Sequence, residues 1–155
     1  SPMGVFEIVS IHYVDMINYL FNVLKINKPK LSNLSKVGNS YDTSHVELKL
    51  RDKSNVNIFT TYNSAYLRSI FFLFDNGIIS QNKNSIEVRG PSLNIDKNGF
   101  IKEPKIIKKY KLNDNKDYEE SLKKSVAYFL KHAKYKESFS KKNWSCSIRS
   151  NSLIV

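Results

Sequence analysis

The sequence predicts an α+β protein, with an α/β N-terminal lobe packed beside a β-rich C-terminal lobe. Three observations carry that expectation. An apolar stripe at three- and four-residue spacing lies near the start, in Tyr13, Met16, Ile17, Leu20, Phe21 and Leu24. Strict alternation follows in Val46, Leu48 and Leu50, with Glu47 and Lys49 between them. Short apolar runs separated by turn residues then fill most of the second half. The expected lobes are residues 1–82, in helix–strand–helix order, and residues 83–155, a basic β-rich lobe with one inserted helix.

The elements follow in order. Ser10 stands where a helix N-cap belongs, and the stripe after it predicts a helix of roughly four turns. Residues 28–42 are polar, hold Gly38, and predict a loop. The alternating run 46–50 predicts a strand. Arg51-Asp52-Lys53-Ser54 is a turn, and Val56, Ile58 and Thr60 form the second arm of a hairpin. Ser64–Asn76 predicts a helix with Leu67, Ile70, Phe71 and Phe74 on one face. Asn63 or Ser64 starts it, and Gly77 sits at the C-terminal cap position. Ile78 and Ile79 begin an extended segment. Strands are expected at Ile86–Arg89, Leu93–Ile95 and Phe100–Tyr110, with turns at Gly90-Pro91 and Lys97-Asn98-Gly99. Tyr118–Lys131 predicts a helix with Leu122, Val126, Phe129 and Leu130 on one face. Trp144–Val155 predicts a strand pair.

Composition narrows the function. The 155 residues carry 25 Lys and Arg against 14 Asp and Glu, a formal charge of +11. Self-repulsion of that size opposes compactness and points to an anionic partner. Residues 1–101 have a net charge of +3 and residues 102–155 of +8, so the excess lies in the last third. Lys, Asn and Ile are abundant while Ala and Gly are scarce, the bias of an AT-rich genome; part of the Lys content is therefore codon usage. A single cysteine, Cys146, leaves no internal disulfide and fits a reducing compartment. The most apolar stretch, Val5–Leu24, is broken by Glu7, His12, Asp15, Asn18 and Asn22, so no spanning helix is expected. Neither a signal peptide nor an Arg-rich transit peptide is evident.

Chemistry is sparse. His12, His45 and His132 stand far apart, with no ligand at metal-type spacing. Asp114, Asp117, Glu119 and Glu120 precede or open a helix, where they favour its dipole. Glu87-Val88-Arg89 resembles only the tail of a metal-nuclease pattern. No catalytic residue, metal, cofactor, small-molecule substrate or membrane is expected.

Two segments suit nucleic acid. Lys102, Lys105, Lys108, Lys109 and Lys111 interleave with Ile106, Ile107 and Tyr110, so strand periodicity lets some lysines reach phosphates while isoleucines pack. Lys141, Lys142 and Arg149 stand near Ser147, Ser150, Asn151 and Ser152, small polar groups suited to the 2′-hydroxyls of RNA. The expected RNA contacts are Lys105, Lys108, Lys109, Lys111, Lys141, Lys142, Arg149, Ser150, Asn151 and Ser152.

The order of elements also carries a resemblance. Val14-Asp15-Met16-Ile17 lies in the first helix, and Val56-Asn57-Ile58 forms a short strand. Leu67, Ile70 and Leu73 precede Phe74-Asp75-Asn76-Gly77-Ile78-Ile79. Pro104–Tyr110 and Ile148-Arg149-Ser150-Asn151-Ser152 come later. Together they resemble the small-ribosomal-subunit protein eight family across most of the chain. The additions at 26–54 and 112–143 depart from the family pattern, as does Leu153-Ile154 where its terminal Lys-Gly stands.

The resemblance implies a divergent, organelle-encoded member in the mitochondrial ribosome. Such a member binds small-subunit rRNA beside neighbouring ribosomal proteins and supports subunit assembly and translation. It hands the RNA-contacting loop to Ser150, Asn151 and Ser152. The alternatives are a DNA-binding or metal-dependent nuclease-type protein of a virus or mobile element, and a protein-interaction module.

Overall fold

The computed structural model describes residues 3–21, 23–91, 95–135, 138 and 140–152. The architecture is α+β, with helices and two antiparallel four-stranded sheets. Two units divide the chain. One joins Ser1–Tyr66 to Ser138–Val155, and the other is Leu67–Glu137.

In the first unit a π-helical turn, Phe6–Ser10, runs straight into α1, Ile11–Leu20. Ser10 does not cap the helix, because the chain is already helical there. Its hydroxyl turns to the sheet instead, bonding Ser44 at 3.1 Å and pairing with the Thr60 hydroxyl. The buried stripe is also rotated from the expected one. It runs through Val5, Phe6, Ile11, Val14 and Ile17, and of the predicted positions only Ile17 is fully buried. Leu20 is exposed; the sheet packs on the π-helical turn, and α3 (Lys141–Asn151) packs on α1.

The sheet of this unit is built around β3, Thr43–Leu50. The predicted hairpin with β4, Asn55–Thr61, forms in full, and Val46 lies opposite Ile58. The other side of β3 is shared. β1, Val23–Ile26, pairs with its C-terminal half, and β2, Lys30–Ser32, with its start. Alternation places Ser44, Val46, Leu48 and Leu50 on one face, where all four are buried. The expected loop 28–42 therefore contains β2. It is closed by Asp42, whose carboxylate accepts from the Ser35 hydroxyl and from the Leu34 and Ser35 amides; these bonds hold it well below the usual carboxylate range.

The second unit overturns one helix. Residues 64–76 are not helical: β5 spans Ile70–Phe74 and pairs with β6, Gly77–Gln81. The run Leu67, Ile70, Phe71 and Phe74 satisfies a helical spacing, but Ile-Phe-Phe-Leu-Phe is β-branched and aromatic throughout. Asp75-Asn76 supplies a two-residue hairpin turn directly after it. Gly77 is thus a strand residue rather than a helix cap. A Cβ there would stand 2.4 Å from the Arg89 carbonyl oxygen, so the cross-strand approach needs glycine.

β7, Ser85–Arg89, and β8, Ile106–Lys111, complete the sheet in the order β5-β6-β7-β8. The lobe boundary expected at 82/83 falls in the turn between β6 and β7, inside this single sheet. Of the expected strand 93–95, Leu93 lies outside the described residues, and Ile95 forms an isolated bridge with Ile101. The expected strand 100–110 begins only at Ile106. The inserted helix is present and longer than expected, as α2, Asp114–Tyr135. Asp114 and Asp117 lie in its first turn, and Asp114 pairs with Arg68 at 2.8 Å.

The units differ in one physical respect. Every fully buried apolar side chain among the described residues belongs to the first unit. In the second, Phe71, Leu73, Ile107, Leu122, Phe129 and Leu130 are all exposed.

Candidate nucleic-acid interface

β8 is one of the two outer strands of its sheet, and all six of its residues are exposed. Paired residues in a sheet share a face, so the register sorts its lysines. Lys108 lies in a row with Val88, Ile79 and Phe72, and its ammonium stands 4.9 Å from the centre of the Tyr110 ring. Lys109 and Lys111 lie on the other face. The register shifts between Val88 and Arg89, and Ile107 in the facing strand reaches toward Gly90, where an added Cβ would meet its Cδ1 at 2.9 Å.

The lysines are not equivalent. Lys109 donates to Glu87 at 2.6 Å, and Arg89 donates to the other oxygen of the same carboxylate at 2.8 Å. Lys109 and then Arg89 hold Glu87 below the ordinary carboxylate range. Arg89 also reaches Glu103 at 3.0 Å, and the Glu87 bond first, then that with Glu103, raises its pKa. Lys109 is therefore committed to a carboxylate that it shares with Arg89. Lys105, Lys108 and Lys111 form no ion pair among the described residues. Lys105 is exposed just before β8, and its carbonyl accepts from the Gly90 amide at 3.0 Å.

The remaining expected contacts lie in the first unit, so the candidate residues divide between two separate bodies. Here the expected strand pair at 144–155 is not formed. Residues 141–151 are helical as α3, and Leu153-Ile154-Val155 lie outside the described residues. The Ser140 carbonyl accepts the first helical bond, from the Trp144 amide at 3.1 Å. Trp144 and Ile148 then fall one turn apart, and so do Cys146 and Ser150.

This helix removes Ser150 from the expected recognition loop. Ser150 is 1 % exposed. Its hydroxyl accepts from the Asn18 amide at 2.9 Å, and it also lies 3.1 Å from Asp15 Oδ1 and 3.0 Å from the Cys146 carbonyl. The group locks α3 to α1 and is not available to RNA. Asn151 ends the helix and is exposed, while the Ser152 hydroxyl bonds back to the Arg149 carbonyl at 2.8 Å. Lys141 is exposed at the helix start, and the side chain of Lys142 lies outside the described residues. Arg149 is exposed and donates to the Leu24 carbonyl at 3.3 Å.

Ser150→Val is expected to destabilise the fold by about 1–3 kcal/mol, because it leaves buried Asn18 without its partner. Urea unfolding measures this loss. RNA affinity should not change; a weaker affinity at unchanged stability would return Ser150 to the interface.

Arg51 was legible only as a turn residue, yet with Arg149 it lines one cleft of the first unit. Among the described residues no group of three His, Cys, Asp or Glu is placed to hold a metal, and no helix is long and apolar enough to cross a membrane. No protein family, curated protein or solved structure matches the chain.

Proposed function

We propose that this protein is a non-catalytic RNA-binding protein that sits against a phosphate backbone. The observation that supports it best is β8, an outer strand with every residue exposed and with Lys108 and Lys111 forming no ion pair among the described residues. Charge agrees in both units. The first holds ten basic against five acidic side chains, a net of +5; the second holds fifteen against nine, a net of +6. A neutral surface has no reason to concentrate cations in this way.

The finer reading is a structural constituent of a mitochondrial small ribosomal subunit, with its two lobes side by side on rRNA. Its support is the resemblance carried by residues 14–17, 56–58, 74–79 and 104–110. The second unit adds a physical argument. A sheet and a helix whose large apolar side chains all stay at least partly exposed are suited to being covered by RNA and neighbouring proteins. Against that reading, the second helix and the terminal loop of the family pattern are a strand and a helix in this chain.

A nuclease-type protein is the second reading. Its best carboxylate, Glu87, has both oxygens engaged by cations, which opposes a role as a metal ligand.

The test is RNA binding by the full chain, measured by fluorescence anisotropy across salt concentration with magnesium present and absent. The expected result is intact RNA and an affinity that falls steeply with salt, by about 0.7 in log K per log salt for each phosphate contact on a single strand. Flat affinity overturns the proposal. Magnesium-dependent cleavage that is lost in Glu87→Gln favours the nuclease reading.

A further inference from the structure

We infer that the cleft of the first unit is a nucleotide-binding site, separate from the β8 surface. It has a volume of about 350 Å³ and is lined by Asn18, Phe21, Val23, Arg51, Ser145, Cys146 and Arg149. The sequence contains four arginines, and two of them converge here from elements far apart in the chain. Arg51 follows β3 in the turn to β4, and Arg149 is carried by α3.

Neither guanidinium is neutralised by a described residue. Neither forms an ion pair among the described residues. Asp52 is next to Arg51 in sequence, but its carboxylate accepts from the Ser54 amide at 2.9 Å within the turn. Arg149 is held at one point, by its bond to the Leu24 carbonyl, which leaves other N–H groups of the fork to donate. Two unneutralised guanidinium groups on one concavity select a multi-oxygen anion, which accepts paired hydrogen bonds.

The rest of the lining fits the remainder of such a ligand. Phe21 and the buried Val23 give an apolar wall, and an aromatic side chain takes a base by stacking. Asn18 and Ser145 add polar groups. The volume is at the small end of ordinary ligand pockets, suited to one nucleotide rather than a folded RNA segment. The phosphate belongs to Arg51 and Arg149, and the base to Phe21. This nucleotide is either a free mononucleotide or one unit of an RNA strand. Only the second source rests on the RNA-binding reading above.

The experiment uses Trp144, the only tryptophan, which precedes Ser145 on α3 and is exposed. Its fluorescence is followed while the full chain is titrated with adenosine 5′-monophosphate, adenosine, or a six-residue adenylate RNA. The monophosphate should change the signal saturably and adenosine should not. Arg51→Gln and Arg149→Gln should each weaken binding about tenfold or more, the scale of one charge-assisted bond. Arg51 forms no side-chain bond among the described residues, so its variant tests the site without threatening the fold. Lys105, Lys108 and Lys111 replaced together by Gln should leave the monophosphate response intact.

A response to the hexamer alone, weakened by Arg51→Gln, assigns the site to RNA. A monophosphate response in a protein that binds no RNA assigns it to free nucleotide and removes the RNA-binding reading instead. If neither ligand's affinity changes in Arg51→Gln and Arg149→Gln, the inference is overturned.

Discussion

Replacing Lys105, Lys108 and Lys111 together by Gln should weaken RNA binding about a hundredfold at about 0.1 M salt. The magnitude follows from counterion release. Lys108 and Lys111 lie on opposite faces of β8, so one RNA strand meets both only by running along the open edge of that outer strand. In that path each lysine on a single-stranded phosphate contributes about 0.7 to the salt slope, so three contribute about 2 in log K at that concentration. The triple variant should therefore lose affinity and also about 2 from its slope, and the two curves should converge at high salt. The substituted side chains are exposed, so stability should change by no more than about 0.5 kcal/mol for each. Lys109→Gln is the internal comparison. Its ammonium already serves Glu87, so its removal should cost RNA affinity less than Lys108→Gln does. Anisotropy titrations at four or five salt concentrations measure all of this. Equal slopes for the wild type and the triple variant would remove β8 from the interface, whatever the change in absolute affinity.

How much of this surface was legible depended on whether one periodicity stood alone. The β3–β4 hairpin was readable because Val46, Leu48 and Leu50 alternate with polar residues over a turn-forming Asp52-Lys53-Ser54, and no helical spacing competes. α2 was readable from its apolar stripe and its acidic first turn. β5 was misread because Ile70–Phe74 is apolar at every position, so with Leu67 it satisfies a three-four spacing and a strand at once. Cross-strand pairing with Gly77–Gln81 decides such a run, and that is not a local property. The terminal helix was misread for the opposite reason. Cys146 and Ile148 suggest alternation, while Ser140 and the one-turn pairs Trp144–Ile148 and Cys146–Ser150 were the better signal. The lysines of β8 are exposed because the strand is outermost in its sheet, a position set by strand order that no local pattern announces. The Arg51–Arg149 cleft was invisible, since nothing local relates a hairpin turn to a helix about a hundred residues later.

Phe6→Ala should be the most damaging single substitution, with an expected loss of about 3–5 kcal/mol. Phe6 is 0 % exposed and is the largest fully buried side chain among the described residues. It lies in the π-helical turn that packs on β3 and β4, so its ring fills space between the helical layer and the sheet. Truncation removes the transfer free energy of the ring and leaves a cavity. The surroundings are hydrogen-bonded: the Ser10 hydroxyl is bonded to both Ser44 and Thr60 across the same layer. A layer tied in that way collapses poorly into a void, which places the cost toward the upper end of the range. Domain stability is only about 5–15 kcal/mol, so most of the folded population is at risk. Phe71→Ala supplies the contrast. Phe71 is 65 % exposed on β5, and its loss should change stability by no more than about 0.5 kcal/mol. Urea unfolding of the two variants tests where the core lies. A loss below about 1 kcal/mol for Phe6→Ala, or one for Phe71→Ala as large as that for Phe6→Ala, would mean that the stabilising core is not the layer between the π-helical turn and the β3–β4 hairpin.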